Sequence, residues 1–341
     1  MIIDKFNTQK EVLVVAEIGN NHEGSYTLAE ELIGLAAETG ARAVKFQVIR
    51  AEYLISPKLE KRFAQLKSFE LTYSQFEKLS RFAKEAGLLF LATPFDLGSA
   101  EFLSSIVSAF KIASGDNTFY PLIERVAAFG KPVIVSSGLA GLAQIQYVKS
   151  LIERIWDGEG INQELAVLHC VASYPVPLDQ ANLSAISYLK EKLNCTVGYS
   201  DHTMGLEAPA IAAALGARII EKHFTKDKNY SAFRDHQLSA DPNEMTLLVQ
   251  RVKNVSSMLG SGEKVLQECE NEMVNSLRRS IAAAQDLPQG TRLSWQDITW
   301  VRPGNGLPPG KEHVVLGKLL ARPVSQGEPI TPDMLQAEEE K

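Results

Sequence analysis

Two lysines and two histidines stand where a buried strand should be apolar. Lys45 lies in AVKFQV (43–48), Lys111 in AFKIAS (109–114), His202 just beyond CTVGYS (195–200), and His223 ends ARIIEKH (217–223). Side chains on a strand alternate between its two faces. Val44, Phe46 and Val48 therefore share one face, and Ala43, Lys45 and Gln47 the other. The same alternation sets Lys111 opposite Phe110 and Ile112, groups Glu221 with His223, and groups Ser200 with His202. Glu17 ends VLVVAE (12–17). A lysine taken out of water is costly unless an anion pairs with it. An internal ion pair accounts for one such lysine, but a set gathered at strand ends points to a site. Lys45 and Lys111, with hydroxyls from Thr93, Ser114, Ser136 and Ser137, suit a substrate bearing phosphate and carboxylate. His202 and His223 end consecutive strands and can share one divalent metal. Glu17 and Glu221 can handle protons or orient metal-bound water. A metal beside an anion pocket, with no redox-cofactor motif, fits condensation of a phosphorylated enol with an aldehyde, the metal polarising the carbonyl.

The elements that must position these groups recur regularly. To the strands above are added LLFLATP (88–94), PVIVSS (132–137) and LAVLHC (165–170), eight in all, separated by helical patterns. A capping box at Thr27-Leu-Ala-Glu30 opens one helix, with Gly40 as its stop. Another at Thr72-Tyr-Ser-Gln75 opens a helix that stops at Gly87. Strand–helix alternation over about 250 residues implies a parallel sheet, and eight repeats imply closure into a (β/α)8 TIM barrel, whose chemistry sits at the C-terminal ends of the strands. A doubly wound open sheet is the competitor, but no G-x-G-x-x-G follows the first strand and there is no Walker A motif. The texture changes near residue 260. The expected organisation is a barrel over 1–260, a linker over 261–277, and a small, mostly β domain over 278–341 that is dense in Pro and Gly.

Composition removes several classes. Of 341 residues, 35 are Lys or Arg and 41 Asp or Glu, a net charge of −6. Such a chain has no general drive to release counterions from nucleic acid. No apolar run approaches the roughly 18–20 residues that span a bilayer. Cys170, Cys195 and Cys269 have no C-x-x-C spacing, so neither a disulfide framework nor a zinc ribbon is indicated. The N-terminus reads as a strand rather than a signal peptide, and the expected location is the cytoplasm. Weaker signals also have readings. His169 and Cys170 resemble a nucleophile pair, but adjacent strand residues face opposite ways. His22 either lines the mouth or caps its loop. Trp295 and Trp300 read as small-domain core.

Taken together, AEIGNNHEGS, VKFQ, ATPF, KIASGD followed by YPLI, GKPVIVSSG, LHCVASYP, GYSDHT, EKHFT and VRPGNG resemble the sialic acid synthase family, in order and over essentially the whole chain. The resemblance implies condensation of phosphoenolpyruvate with N-acetylmannosamine or a related amino sugar, giving a nine-carbon 2-keto-3-deoxy acid and phosphate. It also implies that the segment from about 278 is an antifreeze-like (SAF) domain. By motif, Lys45, Thr93, Lys111, Ser114 and Ser200 match residues that bind phosphoenolpyruvate. His202 and His223 match the ligands of manganese or magnesium, and Glu17 and Glu221 the acidic catalytic residues. Gln47, Asp116, Tyr174 and Asp235 match positions near the acceptor. Arg302 matches an arginine delivered by the small domain of the partner, which implies a domain-swapped homodimer. The chain departs from the pattern at Ala172, at Asp116, in DKNYSAFRDH (227–236), and in 55–70, which offers no Asn for the sugar. All four departures lie on the acceptor side. N-acetylmannosamine, its 6-phosphate, and the dideoxy-diacetamido sugars leading to legionaminic or pseudaminic acid therefore stay open. A related synthase acting on a sugar phosphate should carry extra Arg or Lys, and none cluster at strand ends. A non-catalytic carbohydrate-binding protein should have a degenerate mouth, and this one is intact.

Overall fold

The structure, a computed structural model, describes residues 1–336. The chain divides into two compact units, with the division after Ser261. In the first, eight parallel strands form a closed barrel: β1 (Leu13–Gly19), β2 (Ala43–Val48), β3 (Leu89–Pro94), β4 (Ala109–Ile112), β5 (Val133–Ser136), β6 (Leu165–Cys170), β7 (Thr196–Asp201) and β8 (Ile219–His223), β8 returning to pair with β1. The helices that follow them in turn are α1 (Tyr26–Glu38), α2 (Tyr73–Glu85), α3 (Leu97–Leu103), α4 (Tyr120–Ala128), α5 (Leu142–Glu159), α6 (Ala185–Leu193), α7 (Glu207–Ala214) and α8 (Pro242–Leu259). This closed ring excludes the open-sheet alternative.

Alternation along each strand separates two cores. Val14, Ala16, Val44, Phe46, Phe90, Phe110, Val135 and Ile220 face outward and pack on the helices. Leu13, Val15, Ala43, Leu91, Ala109, Ile134, Leu168 and Ile219 fill the lower lumen. A short N-terminal hairpin pairs Ile2–Ile3 with Phe6–Asn7, and its Met1 and Ile3 join that lumen cluster as a plug. The inner face turns polar only toward the C-terminal ends of the strands, which leaves a packed floor under a charged mouth. Closure is tight at Gly198, where a Cβ would lie 2.5 Å from both the Ile219 carbonyl oxygen and Leu168 Cδ2. An alanine there overpacks the ring at a cost of about 1–3 kcal/mol.

The helix signals are only partly as expected. Thr72 and Gln75 form the capping box of α2. The first helix, however, is capped by Ser25, whose hydroxyl accepts from the Leu28 amide, and Thr27 already lies inside it. Gly24, at φ +80°, finishes the preceding turn early, so the helix begins one half-turn sooner than the Thr27 box implies. Strand β1 also runs two residues past Glu17, with a register irregularity between Glu17 and Gly19.

The second unit begins at Gly262, and so includes residues 262–277 of the segment expected as a linker. Its helix Asn271–Leu277 is tied in by the Gly304 amide, which donates to the Asn275 carbonyl at 2.6 Å. Strands β9 (Ser280–Ala283) and β10 (Ile298–Val301) pair antiparallel, and isolated bridges such as Leu287 to Val324 complete the pairing. The core comprises Ile281, Leu293, Ile298, Val315, Leu320 and Ile330. Trp300 packs against it, its indole N–H donating to Glu312 at 2.8 Å. Trp295 does not belong to this core and is 62% exposed, because it opens a polar one-turn segment capped by Ser294.

Candidate active site

Barrel register sets the charged side chains at one level. Glu17 lies beside His223 on one side and Lys45 on the other, and Glu221 lies beside Ser200. The result is a buried quartet. Lys45 Nζ is 3.0 Å from Glu17 Oε1 and 3.6 Å from Glu221 Oε1, and Lys111 Nζ is 3.3 Å from Glu221 Oε1. Ser200 donates to the same Glu221 oxygen at 3.0 Å, and Lys45 reaches Thr93 Oγ1 at 3.4 Å. Gln47 donates to Glu17 Oε1 at 3.0 Å and accepts from Asn20 at 2.8 Å.

The two carboxylates are driven apart. Burial pushes Glu17 up, more than Lys45 and Gln47 pull it down, and the Glu221 charge adds to the rise. Glu221 is equally buried, but Lys111 and Lys45 overcome desolvation and hold it down at about 2. Two acids with separated proton affinities are the usual basis for distinct roles, here a proton carrier and a standing anion. Lys45 is buried too, yet its two carboxylates hold its proton more tightly than usual. For Lys111, burial outweighs Glu221 and lowers the value.

The quartet floors a cavity of about 600 Å³. Lys45, Gln47, Lys111, Ser114, Asp116, Ser136, Tyr174, Ser200, His202, Glu17, Glu221, His223 and Asp235 all line it. Thr93 is not on this lining and meets the site only through its contact with Lys45. Ser137 does not take part, because its hydroxyl donates to the Leu168 carbonyl at 2.9 Å. Buried polar atoms rarely lack partners. Among the described residues, four such atoms are found on this lining: Glu17 Oε2, Asp116 Oδ2, Ser136 Oγ and His223 Nδ1. Burial raises Asp116 to about 6.

The histidine rings approach each other, with centroids 5.5 Å apart. His202 Nδ1 lies 3.0 Å from the Val171 carbonyl oxygen. That contact assigns the proton to Nδ1 and leaves Nε2 with a free lone pair. Burial holds His223 below the usual histidine value. The Tyr174 ring lies tilted against His202, with centroids 4.2 Å apart, and Arg234 lies 4.4 Å over the Tyr174 ring. Behind the histidines, on the opposite strand faces, Lys222 Nζ pairs with Asp201 at 2.7 Å and donates to the Thr203 carbonyl at 2.6 Å. This pair, with both side chains at most 1% exposed, clamps β7 to β8 at the level of the two imidazoles.

Other sequence signals resolve differently. His169 faces away, stacked on Tyr199 with Nε2 2.9 Å from the Ala181 carbonyl, while Cys170 turns inward with Sγ 3.8 Å from His202 Nδ1. His22 caps its loop, accepting from the Gly24 amide at 3.1 Å. Arg302 belongs to the second unit and is exposed. Sequence reasoning gave no site role to Asn20, Phe95, Phe233 and two arginines, Arg62 and Arg234, and set Cys170 aside as a nucleophile, yet all of them line the cavity. The arginines come from loop-borne segments rather than strand ends. Arg234, next to Asp235, was within reach of a local signal, whereas Arg62 sits in the helix Glu60–Ser68 with no motif around it.

Residues 32–264 match the NeuB family and residues 278–336 the SAF domain. The N,N'-diacetyllegionaminic acid synthase of Campylobacter jejuni is 36% identical, over 94% of this chain and 99% of that protein. The human N-acetylneuraminate-9-phosphate synthase is 32% identical, over 96% and 94%. Among solved structures, the N-acetylneuraminic acid (sialic acid) synthetase of Leptospira borgpetersenii superposes with a TM-score of 0.73 at 36% identity, covering 77% of this chain and 90% of that one. With the matched family spanning most of the barrel, and relatives of this identity aligned almost end to end, the chain belongs to the NeuB family.

Proposed function

We propose that this chain condenses phosphoenolpyruvate with the open-chain aldehyde of an N-acylated amino sugar, giving a nine-carbon 2-keto-3-deoxy acid and phosphate. The observation that carries the reading is the buried Lys45–Glu17 and Lys111–Glu221 quartet, under a cavity where four buried polar atoms lack partners. Two ammonium groups already balanced by two carboxylates accept a small multivalent anion when a carboxylate takes up a proton, and Glu17 is the one predisposed to do so. Lys45, Lys111, Thr93, Ser114, Ser136 and Ser200 hold the phosphate and carboxylate. Attack of the enol carbon on the aldehyde leaves positive charge at the adjacent carbon, which faces the standing anion of Glu221. Glu17 directs the proton to and from the water that adds there. The resulting hemiketal phosphate collapses with C–O cleavage.

The residues fit a divalent ion, manganese or magnesium. Two imidazoles sharing one ion at about 2.1 Å per bond have centroids roughly 5–6 Å apart, as these do. His202 Nε2 and a ring nitrogen of His223 would hold it, with oxygen ligands from water and substrate, since no third His, Cys, Asp or Glu joins them among the described residues. When bound, it polarises the aldehyde as a Lewis acid. Gln47, Asp116, Tyr174 and Asp235 face the acceptor, and Arg302 reaches it from the partner of a domain-swapped homodimer. The names of the relatives support an amino-sugar acceptor. Arg62 and Arg234 line one further cleft that adjoins the cavity, which favours an acceptor carrying an anionic group of its own, such as the 6-phosphate.

The test is a panel of N-acetylmannosamine, its 6-phosphate and the dideoxy-diacetamido sugars, incubated with phosphoenolpyruvate and manganese and followed by phosphate release and product mass. Acceptor-dependent phosphate with a product of the summed skeleton supports the reading. Background release with every member defeats it, and preference for unphosphorylated members removes the anionic-acceptor version.

A further inference from the structure

The wall of the cavity that bears Phe233, Arg234 and Asp235 belongs to the segment between β8 and α8, and it is fastened to the loop after β1. One attachment is at its ends. Asn21 Nδ2 donates to the Phe224 carbonyl at 2.8 Å and to Ser239 Oγ at 2.9 Å. The Ser239 hydroxyl in turn donates to the Asp235 carbonyl at 2.6 Å. The other attachment is at its middle. The Glu23 carboxylate lies 2.9 Å from His236 Nε2 and accepts from the Ser231 hydroxyl, while His236 Nδ1 pairs with Thr225 Oγ1 at 2.7 Å. Both ring nitrogens of His236 are therefore engaged, and its side chain is 1% exposed. The ring also meets Tyr230 and Phe233, with centroids 5.3 and 6.1 Å away. Glu23 holds this position from φ +46°, a left-handed conformation that few non-glycine residues adopt. The neighbouring Gly24 is required, because a Cβ there would come within 2.1 Å of the Ser68 carbonyl oxygen.

We infer that Glu23 and His236 form a latch that positions Asp235 and Arg234 for the acceptor. The inference rests on the proposed condensation, in which Asp235 serves the acceptor and the lysines serve the enol phosphate. His236 is the next residue after Asp235, and Ser239 pins the Asp235 carbonyl, so the backbone carrying that carboxylate is held from both sides. Lys45, Lys111 and Ser136 stand on β2, β4 and β5 and have no bond to the latch. Releasing it lets the acceptor wall move and leaves the enol phosphate site in place. Both residues are positioning residues, acting through Asp235.

The experiment compares His236→Ala, Glu23→Ala, Glu23→Gln and the double alanine variant of the full-length protein. The acceptor KM should rise about tenfold or more in each single alanine variant, because a misplacement of about an ångström is costly at a reacting site. The phosphoenolpyruvate KM should stay within about twofold. Glu23→Gln keeps an oxygen acceptor for His236 and should recover most of the loss. The double variant should be no worse than the poorer single one, as expected for two halves of one device. Hydrogen exchange of the amides in 227–235 should quicken in both alanine variants. Unchanged acceptor KM with wild-type exchange overturns the latch, as does an equal rise in both KM values. If the wild-type protein turns over no acceptor at all, the functional reading fails by itself, and the exchange rates alone then decide whether the latch holds the wall.

Discussion

Replacing Lys222 with Met removes the cation from the clamp behind the two histidines while keeping a similar volume. The ammonium is 2.7 Å from Asp201 Oδ2 and 2.6 Å from the Thr203 carbonyl oxygen. Asp201 Oδ1 keeps its own donors, the Tyr199 hydroxyl at 3.0 Å and the Thr203 amide and hydroxyl, both at 2.8 Å. Oδ2 is left charged in a site with no water access, since Asp201 is 0% exposed. Breaking one side of a buried pair costs about 3–5 kcal/mol. That is a large share of a typical total of about 5–15 kcal/mol. At about 2–4 °C per kcal/mol for a domain of this size, Lys222→Met should melt roughly 6–20 °C lower. Because the clamp joins β7 to β8 beside Ser200, His202, Glu221 and His223, manganese uptake should weaken at temperatures where the variant is still folded. Calorimetric melting with a manganese titration reads both effects. A melt within 2 °C or so of wild type, with unchanged manganese affinity, would show that the pair neither carries stability nor places the imidazoles.

Further outcomes follow from the same geometry. Asp116 is shifted from 3.8 to about 6 by burial, so ionisation is disfavoured in the folded state. Stability should fall as pH rises from about 4 through 6, while acceptor affinity should grow over the same range as the carboxylate becomes a full hydrogen-bond acceptor. Asp116→Asn should flatten both slopes, and an acceptor KM with an unaltered pH profile in that variant would assign the titration elsewhere. Exhaustive chelation should stop turnover and manganese should restore it; turnover that persists in stripped protein removes the ion from the chemistry. Arg302→Lys should raise the acceptor KM with little change for phosphoenolpyruvate, because a lysine loses the fork that grips two oxygens at once. An unchanged acceptor KM would make Arg302 structural.

The barrel and its charged mouth were legible because period-two alternation exposes contradictions. Lys45 between Val44 and Phe46, or Lys111 between Phe110 and Ile112, cannot be read as ordinary core. Lys111, His202 and His223 were found by the same signal, and all three line the cavity. Loops carry no period, and the shortfalls lie there. Arg62, Arg234 and the Glu23–His236 contact depend on how segments distant in sequence meet, as with the 213 positions separating Glu23 from His236. Ser137 looked equivalent to Ser136, but the strand ends between them, so Ser136 faces the lumen and Ser137 spends its hydroxyl on β6. The helix cap falls on Ser25 because Gly24 turns the chain first, and Trp295, apolar in sequence, is exposed because a polar turn carries it.

The most direct test of the charged mouth is acceptor-dependent phosphate release by Lys111→Ala, measured at matched folded concentration against wild type. Lys111 contacts Glu221 at 3.3 Å and lines the cavity floor, so its removal should leave the barrel folded and release indistinguishable from background. Near-normal release by that variant, from protein with a wild-type far-ultraviolet spectrum, would contradict the account.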